Sequence, residues 1–488
     1  MTRLVLGFLF AVLCAGLAAR ADVRLGAPFA DHMVLQREKP IAVWGIAASG
    51  ETVRVTFAGK TAVATADARG DWRCTLPALP ASKEPQTLTA NGAAIGDVLV
   101  GEVWIAGGQS NMDLPIVKED PRHCEEKGTL VAQYTRRPFI RLAKSPMHGQ
   151  DEPCRRPDAG ARRLVWRDLR WENVCAHRNA SGRIVERGFS AIGYYFALEL
   201  YGELDVPIGI LLTSKSGTKI EPWIPREGYA AADGRLLARA QKRAARGAAA
   251  FRPSWLWNGR VEPYAPMTAR GVIWYQGCGN VGTWQEYAEY SHALYKGWAK
   301  RFENPELPFL FVQICPSGRP EVPGLQEAQS RFAAEEPHAA IVIANDVGNI
   351  HDVHPARKHV IAQRLAAQAF KRVYGRTEIE SDSPVVSKWK IEGDRFVLTF
   401  AHAKQMYVYN EDRSLGAGFE IAGADGVWKS ADIVNFADKV GQIGGPVVEV
   451  ASKDVPEPRK LRFLHARPWK GVLYNQVSLP VGAFQIGK

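Results

Sequence analysis

The chain has 488 residues, a length that predicts two or three domains, each with its own apolar core. Its net charge is +11, but the lysines and arginines are dispersed and are not interleaved with aromatic residues, so nucleic acid is not expected as a partner and an anionic glycan or a cell surface fits better. Beyond the first 21 residues no stretch approaches the apolar length of a membrane span, so no membrane insertion is predicted.

The first 21 residues have the pattern of a signal peptide. Arg3 precedes the apolar run 4–17, and Ala19-Arg20-Ala21 offers the small residues of a cleavage site. The sequence therefore predicts an exported protein, secreted or periplasmic, that begins near Asp22. Loss of Arg3 and Arg20 lowers its net charge from +11 to +9.

Six of the seven cysteines follow the predicted cleavage site. An even number in an exported chain permits disulfides, which we expect among Cys124, Cys154 and Cys175, although the pairing cannot be read from the sequence. None of the cysteines lies in a CxxC array, so no structural zinc site is predicted.

Residues 22–96 alternate between apolar and polar positions in short segments that are separated by turn residues. This pattern is typical of a small all-β domain. The segments are 41–44, 52–57, 61–66 and 72–76.

A buried strand is predicted over 98–106, and the run Gly107-Gly108-Gln109-Ser110-Asn111-Met112 follows it directly. A serine on a glycine turn at the carboxyl end of such a strand is where a parallel α/β sheet presents a nucleophile to a ligand. The same run is also compatible with an ordinary strand-to-helix turn that a serine caps. The hydrolase interpretation therefore depends on the rest of the chain.

Strands and helices alternate over residues 97–375, which predicts a parallel sheet with crossover helices. The polar, proline-rich stretch 115–173 is interpreted as loops over the active face. Helices are predicted over 192–204 and 285–302 and again from Pro355 to Gly375, and strands over 208–213, 272–275, 309–314 and 340–344. Alternating segments return over 376–488 and predict a C-terminal β region.

The candidate base is His354, in a loop that precedes the last of these helices. A carboxylate should orient its imidazole and stabilise the charged form. Asp352, two residues earlier, can reach the ring, and Asp346, just past the preceding strand, is the alternative. A metal site on His351, His354 and His359 is less favoured, because their spacing does not match the helical zinc motif.

Ester cleavage also needs donors aimed at the oxyanion that develops on the carbonyl. Three groups at the ends of predicted strands can supply them: the backbone N–H of Ser110, the backbone N–H of Gly217 and the side-chain amide of Asn280. Alone, Gly217 and Asn280 would be interpreted as ordinary turn residues.

These motifs resemble the sialate O-acetylesterase family of SGNH hydrolases. The resemblance rests on Gly-Gln-Ser-Asn-Met around Ser110, on Gly217-Thr218 with Ile220-Glu221-Pro222-Trp223, on the run 274–280 and on Asp352-x-His354-Pro355. It extends to the flanks at 31–36, 101–104 and 418–423 and covers nearly the whole mature chain.

The resemblance implies a flavodoxin-like α/β core, a parallel sheet with helices on both faces, over 97–375, flanked by β-rich regions at 22–96 and 376–488. It also implies a secreted serine esterase that removes O-acetyl groups from carbohydrates, sialic acids first among them. Ser110 would be the nucleophile, His354 the base, and Gly217 and Asn280 oxyanion donors, with no metal or organic cofactor. Asp352 stays the preferred acid because of its position beside His354. Gln109, Gln276 and Cys278 are expected to contact the substrate, and the oligomeric state stays open.

The chain departs from the family pattern at two places in the pocket wall, and His351 stands where many SGNH enzymes carry the triad aspartate, three residues before the histidine. Lys215-Ser216 stands where the family commonly has Trp-Gly, and Cys278-Gly279 stands where it has Glu-Ser. These departures leave the acetylated sugar open. Alternatives are an esterase acting on acetylated plant or algal polysaccharides such as xylan or pectin, and a glycan-binding protein whose catalytic site has decayed.

Overall fold

The computed structural model describes residues 23–117, 136–146, 148–154, 164–170, 174–178, 181, 184–186, 188–245, 247, 251–348, 351–410, 417–438, 441–465 and 472–487. The predicted signal peptide at 1–21 and Cys124 lie outside these residues, so the expected export and the expected disulfide stay predictions. Cys74, Cys278 and Cys315 carry free thiols. No helix in the described ranges is long and apolar enough to cross a membrane.

The N-terminal region is built of short strands, as the sequence predicts. One sheet has the order β1-β3-β6, while β4 pairs with β5 and β7, and β7 runs antiparallel to the long strand that follows. The strands are β1 (Arg24–Leu25), β2 (Val34–Gln36), β3 (Ile41–Ile46), β4 (Thr52–Phe57), β5 (Lys60–Thr65), β6 (Asp71–Leu76) and β7 (Ser82–Ala90).

The strand that precedes Ser110 links this region to the rest of the molecule. β8 (Ala93–Gly108) pairs through its first half with β7 and β2 and through its second half with two strands of the central sheet. One apolar core extends from Val23 to Phe370. β8 crosses residue 96, where the sequence predicts a domain boundary. The predicted domain limits stay a prediction.

The central sheet has the predicted α/β character. Six parallel strands lie in the order β10-β14-β8-β15-β16-β17, and β11 pairs antiparallel with β10 at one edge. Apart from β10, the parallel strands lie in the order β14-β8-β15-β16-β17. Numbered by their sequence along the chain, these five strands have the flavodoxin-like order 2-1-3-4-5, which places a crevice at the carboxyl end of β8. The strands are β10 (Arg136–Lys144), β11 (Trp166–Arg170), β14 (Ile208–Leu212), β15 (Gly271–Tyr275), β16 (Phe309–Val312) and β17 (Ala339–Val342).

The interpretation of 115–173 as loops is wrong for β10 and β11. Within β10, Ile140, Leu142 and Ala143 are buried, and so is Arg141, which forms an ion pair with Asp97. Charged residues at both ends and in the middle of this strand hide its apolar positions in the sequence. Three shorter strands also lie between 115 and 187: β9 (Ile116–Val117), β12 (Cys175–Arg178) and β13 (Ile184–Glu186).

Seven α-helices lie in the described residues: α1 (Ser110–Asp113), α2 (Ala191–Leu204), α3 (Arg226–Ala230), α4 (Gly234–Ala244), α5 (Tyr287–Arg301), α6 (Val322–Glu335) and α7 (Lys358–Arg372). Two pairs, α2 with α7 and α5 with α6, cover the central sheet. Pro355, expected in the first turn of the last helix, lies before it, because Arg357 has a non-helical ψ of 63°. The α/β class with flanking β-rich regions is confirmed.

The described part of the C-terminal region is made of strands with a second apolar core of their own. A seven-stranded sheet has the order β18-β19-β24-β22-β21-β25-β27, and β20 lies between β23 and β26. The strands are β18 (Val385–Glu392), β19 (Arg395–Ala401), β20 (Met406–Tyr409), β21 (Phe419–Ala422), β22 (Lys429–Ile433), β23 (Gln442–Ile443), β24 (Val447–Ala451), β25 (Lys460–Phe463), β26 (Val472–Asn475) and β27 (Phe484–Gly487).

Candidate active site

Ser110 lies at the carboxyl end of β8, one residue beyond a tight backbone contact. Gly108 has φ +123°, and a Cβ at this position would lie 2.2 Å from the carbonyl oxygen of Tyr275 on the neighbouring strand. The Gln109 N–H donates to that same oxygen over 2.9 Å. Only glycine permits this approach, and the resulting turn places Ser110 at the switch point of the sheet.

His354 reaches Ser110 from the loop between β17 and α7. Its Nε2 lies 3.0 Å from Ser110 Oγ, which is hydrogen-bonding distance between a hydroxyl and an imidazole. The two residues are 244 positions apart in the chain. This geometry can transfer a proton from the serine to the histidine.

Of the two candidate acids, the structure brings Asp352 to the imidazole. Its Oδ1 accepts from the backbone N–H of His354 over 2.9 Å and lies 3.4 Å from His354 Nδ1. Both carboxylate oxygens of Asp346 instead accept from the Arg364 guanidinium, each over 2.7 Å. Asp346 is therefore engaged in a different ion pair.

The loop that carries Gly217 follows β14 and is held against the serine turn. The Lys215 N–H donates to Gly108 O over 3.0 Å, and Gly217 has φ +74° with open space where a Cβ would be. Asp113, on the helix that begins at Ser110, accepts from the hydroxyls of Ser214 and Ser216 over 3.1 and 2.8 Å. The loop that bears Gly217, one of the three expected oxyanion donors, is thus tied to the helix that begins at Ser110, which bears another.

Asp113 is a site residue that sequence reasoning missed. Burial alone would raise the pKa of its carboxyl, but the Lys144 ammonium at 3.1 Å and the two serine hydroxyls outweigh burial and lower the pKa. No sequence signal marks it, because Asp113 and Ser216 are 103 residues apart.

Asn280 is buried, and its side-chain amide has a fixed orientation. Its Oδ1 accepts from the Ile220 N–H and from Gln276 Nε2, each over 2.9 Å. Its Nδ2 donates to Glu221 Oε2 over 2.9 Å, which uses one of the two hydrogens of that nitrogen. The other hydrogen is the one that an oxyanion could accept. Glu221 is part of the sequence motif at 220–223, but the motif does not predict its contact with Asn280.

Gln109 and Gln276 join the loops that surround the serine. Gln109 Oε1 accepts from Gln276 Nε2 and from the Gly277 N–H, each over 3.2 Å, and Gln276 Oε1 accepts from the Tyr287 hydroxyl over 2.7 Å. Both glutamines are buried. These hydrogen bonds hold the turn after β15 against the turn after β8, and contact with substrate stays a prediction for both residues.

Cys278 is half-buried in the turn after β15. Burial raises the pKa of its thiol to about 11, so the side chain is neutral at neutral pH. This position, where the family commonly has glutamate, therefore adds no negative charge to the site. Within the described ranges, no group of three or more His, Cys, Asp or Glu side chains is arranged to hold a metal ion.

Comparison with known proteins gives consistent matches. The family model described as carbohydrate esterase, sialic acid-specific acetylesterase, matches residues 100–371, more than half of the chain. The human sialate O-acetylesterase is 27% identical over 470 residues, which cover 86% of this chain and 84% of the human protein. The rat sialate O-acetylesterase is 27% identical over 453 residues, with 80% of each chain covered.

Among solved structures, a carbohydrate acetylesterase from Xanthomonas citri has the same fold. It superposes with a TM-score of 0.80 at 28% sequence identity, and the match covers 96% of this chain and 100% of that one. The likeness therefore includes the β-rich regions that precede and follow the central sheet in the chain.

Proposed function

The chain belongs to the sialic acid-specific acetylesterase family of carbohydrate esterases, and from this we propose that it is an exported serine esterase that removes O-acetyl groups from acidic sugars, sialic acids first among them. The carboxylic ester hydrolase class follows from the family. The proposal adds the substrate, the catalytic roles and the export.

The observation that carries the catalytic roles is the 3.0 Å contact between Ser110 Oγ and His354 Nε2. In the proposed mechanism His354 Nε2 takes the hydroxyl proton while Oγ attacks the acetyl carbonyl carbon. The Asp352 carboxylate beside Nδ1 stabilises the imidazolium that forms.

The negative charge that develops on the carbonyl oxygen would be held by three donors: the backbone N–H groups of Ser110 and Gly217 and the remaining Nδ2 hydrogen of Asn280. Collapse of the tetrahedral intermediate breaks the bond to the sugar oxygen, which takes the proton from His354 and leaves. Water then attacks the acetyl group on Ser110 and gives a proton to His354. Collapse of this second intermediate breaks the bond to Ser110 Oγ, which takes the proton back from His354, and acetate leaves.

Preference for an acidic sugar is supported by charge. Lys215 is exposed, and its backbone N–H donates to Gly108 O, two residues before the nucleophile in the chain. The neutral Cys278 leaves the turn after β15 without the carboxylate that the family commonly has there. A cation near the site and the loss of an anion both favour a negatively charged ligand.

The substrate is tested by acetate release from three polymers or sugars at equal acetyl concentration: O-acetylated sialic acid, acetylated xylan and acetylated pectin. We expect the highest kcat/KM on the sialic acid. A higher value on xylan would assign the enzyme to neutral plant polysaccharides. Absence of release from all three, together with no turnover of p-nitrophenyl acetate, would instead support a glycan-binding protein with a decayed site.

Export is tested separately. Expressed in a bacterial host, the full chain should yield a mature protein outside the cytoplasm that begins near Asp22, as measured by intact mass. An unprocessed chain that stays in the cytoplasm would contradict this part of the proposal.

A further inference from the structure

A buried lysine lies behind the catalytic residues and has no part in the mechanism above. Lys358, the first residue of α7, is only 1% exposed and lies four positions after His354. A buried ammonium is costly unless other groups compensate, so its retention at this place requires a reason. Burial lowers the pKa of Lys358 to about 8.

The ammonium is joined to both catalytic loops through one side chain. Lys358 Nζ donates to Asn111 Oδ1 over 3.0 Å, and Asn111 Nδ2 donates to the carbonyl oxygen of Val353 over 2.8 Å. Asn111 follows Ser110, and Val353 precedes His354. The two hydrogen bonds therefore run beside the Ser110–His354 contact, one residue removed from it on each side.

Asn111 is itself fully buried, and it can serve this link because its amide has both an acceptor and a donor. The oxygen accepts from the ammonium in a charge-assisted bond, which is stronger than a bond between neutral groups. The nitrogen then holds the backbone of the histidine loop. A cation at this place also fixes which end of the amide faces the loop.

Three titratable groups from separate elements act on the ammonium: Asp352 in the histidine loop, Cys278 after β15 and Cys315 after β16. When ionised, each favours the charged lysine. Burial also raises the pKa of the Cys278 and Cys315 thiols, to about 11 and about 12 respectively, so both thiols are neutral at neutral pH.

We propose that Lys358 is a positioning residue that, through Asn111, holds the His354 loop against the Ser110 turn in the geometry for proton transfer. The proposal rests on the catalytic roles proposed for Ser110 and His354. Loss of the link should lower kcat much more than it changes KM, because a misplaced base slows chemistry without removing a substrate contact.

The test compares Lys358→Met with Asn111→Asp. Methionine removes the charge and the donor but keeps the length of the side chain. Aspartate can still accept from the ammonium but cannot donate to Val353 O, so it breaks the second hydrogen bond alone. We expect each variant to lower kcat by about tenfold or more with KM within about threefold. Lys371→Met is the control, because Lys371 lies on the same helix, is 30% exposed and pairs with Asp382.

The pH profile provides a second readout. As the pH rises through about 8, the wild-type ammonium loses its proton, and its hydrogen bond to Asn111 Oδ1 becomes a weaker bond between neutral groups. The wild-type kcat should therefore fall on this alkaline limb. The residual activity of Lys358→Met should lack that limb. The same limb in both proteins, or a kcat within about twofold of wild type in either link variant, overturns the proposal.

Labelling with phenylmethanesulfonyl fluoride separates this proposal from the proposed function. In that reaction Ser110 Oγ bonds to the sulfonyl sulfur, fluoride leaves and the hydroxyl proton passes to His354. We expect the wild type to be labelled on Ser110 and Lys358→Met to be labelled about tenfold more slowly. Equal labelling rates in the wild type and Lys358→Met contradict the proposed role of Lys358 but leave the proposed nucleophile intact. No labelling of Ser110 in the wild type contradicts the proposed nucleophile. If Lys358→Met does not fold, Asn111→Asp decides the question, because its lysine keeps a partner.

Discussion

Asn280 Nδ2 donates to Glu221 Oε2 over 2.9 Å, and this contact decides which way the Asn280 amide faces. The opposite end of the amide accepts two further hydrogen bonds, so a flipped side chain would place N–H groups against N–H donors. The orientation is therefore set by the protein before any substrate arrives, as electrostatic stabilisation of an oxyanion requires.

Removal of this donor should slow the enzyme. We expect Asn280→Ala to lower kcat by about 10²–10³ on every acetyl ester, because one hydrogen bond to the developing oxyanion is lost. Steady-state kinetics on a neutral and a charged ester will measure it. Asn475→Ala is a matched control, since Asn475 is a buried amide of the C-terminal region that donates to His402 O. A kcat for Asn280→Ala close to that of the control would remove Asn280 from the oxyanion site.

Ser110 and His354 should behave as one catalytic unit. Each alanine variant alone should abolish most turnover, and the double variant should lose little more, because neither residue catalyses proton transfer and attack without the other. A double-mutant cycle on kcat/KM measures this coupling. Independent action of the two residues would instead make the double loss equal to the product of the single losses.

Substitution of the two candidate acids should have different effects, one on activity and the other on stability. Asp352→Asn removes the charge beside His354 Nδ1 and should lower kcat, though less than loss of His354 does. Asp346→Asn weakens the partly buried pair with Arg364 and should cost about 1–3 kcal/mol of unfolding free energy while most of the activity remains. Activity assays and urea denaturation of both variants decide the matter. A greater activity loss in Asp346→Asn would reverse the assignment.

The charge at position 278 should influence substrate choice. The wild-type thiol is neutral at neutral pH, so Cys278→Glu introduces a carboxylate and should weaken activity on sialic acids or uronates through like-charge repulsion. The quantity to measure is the ratio of kcat/KM for a charged and a neutral acetyl ester at low salt, with Cys278→Ser as the uncharged control. An unchanged ratio would show that this position does not face the substrate.

The sequence alone was sufficient to predict the site residues that lie in short local patterns. Ser110 follows a glycine turn at the end of an apolar strand, and Asp352 and His354 lie two positions apart in one loop. These short-range patterns predicted the parallel sheet and the contacts that the structure forms between the serine, the histidine and Asp352.

The links that hold these residues in place could not be predicted in the same way. Lys358 and Asn111 are 247 residues apart, and Asp113 and Ser216 are 103 apart, so no local pattern pairs them. The strand β10 was missed because its charged residues mask the few apolar positions that face the core. Long-range polar contacts of this kind become visible only when the chain is folded.

The central claim, that Ser110 is the nucleophile of an acetylesterase, is tested most directly by acetate release from O-acetylated sialic acid by Ser110→Ala protein whose thermal unfolding midpoint matches that of the wild type. The account predicts that the variant stays folded and that its kcat falls by at least about 10³, because the covalent step has lost its only nucleophile. A folded Ser110→Ala protein that releases acetate at the wild-type rate would contradict it.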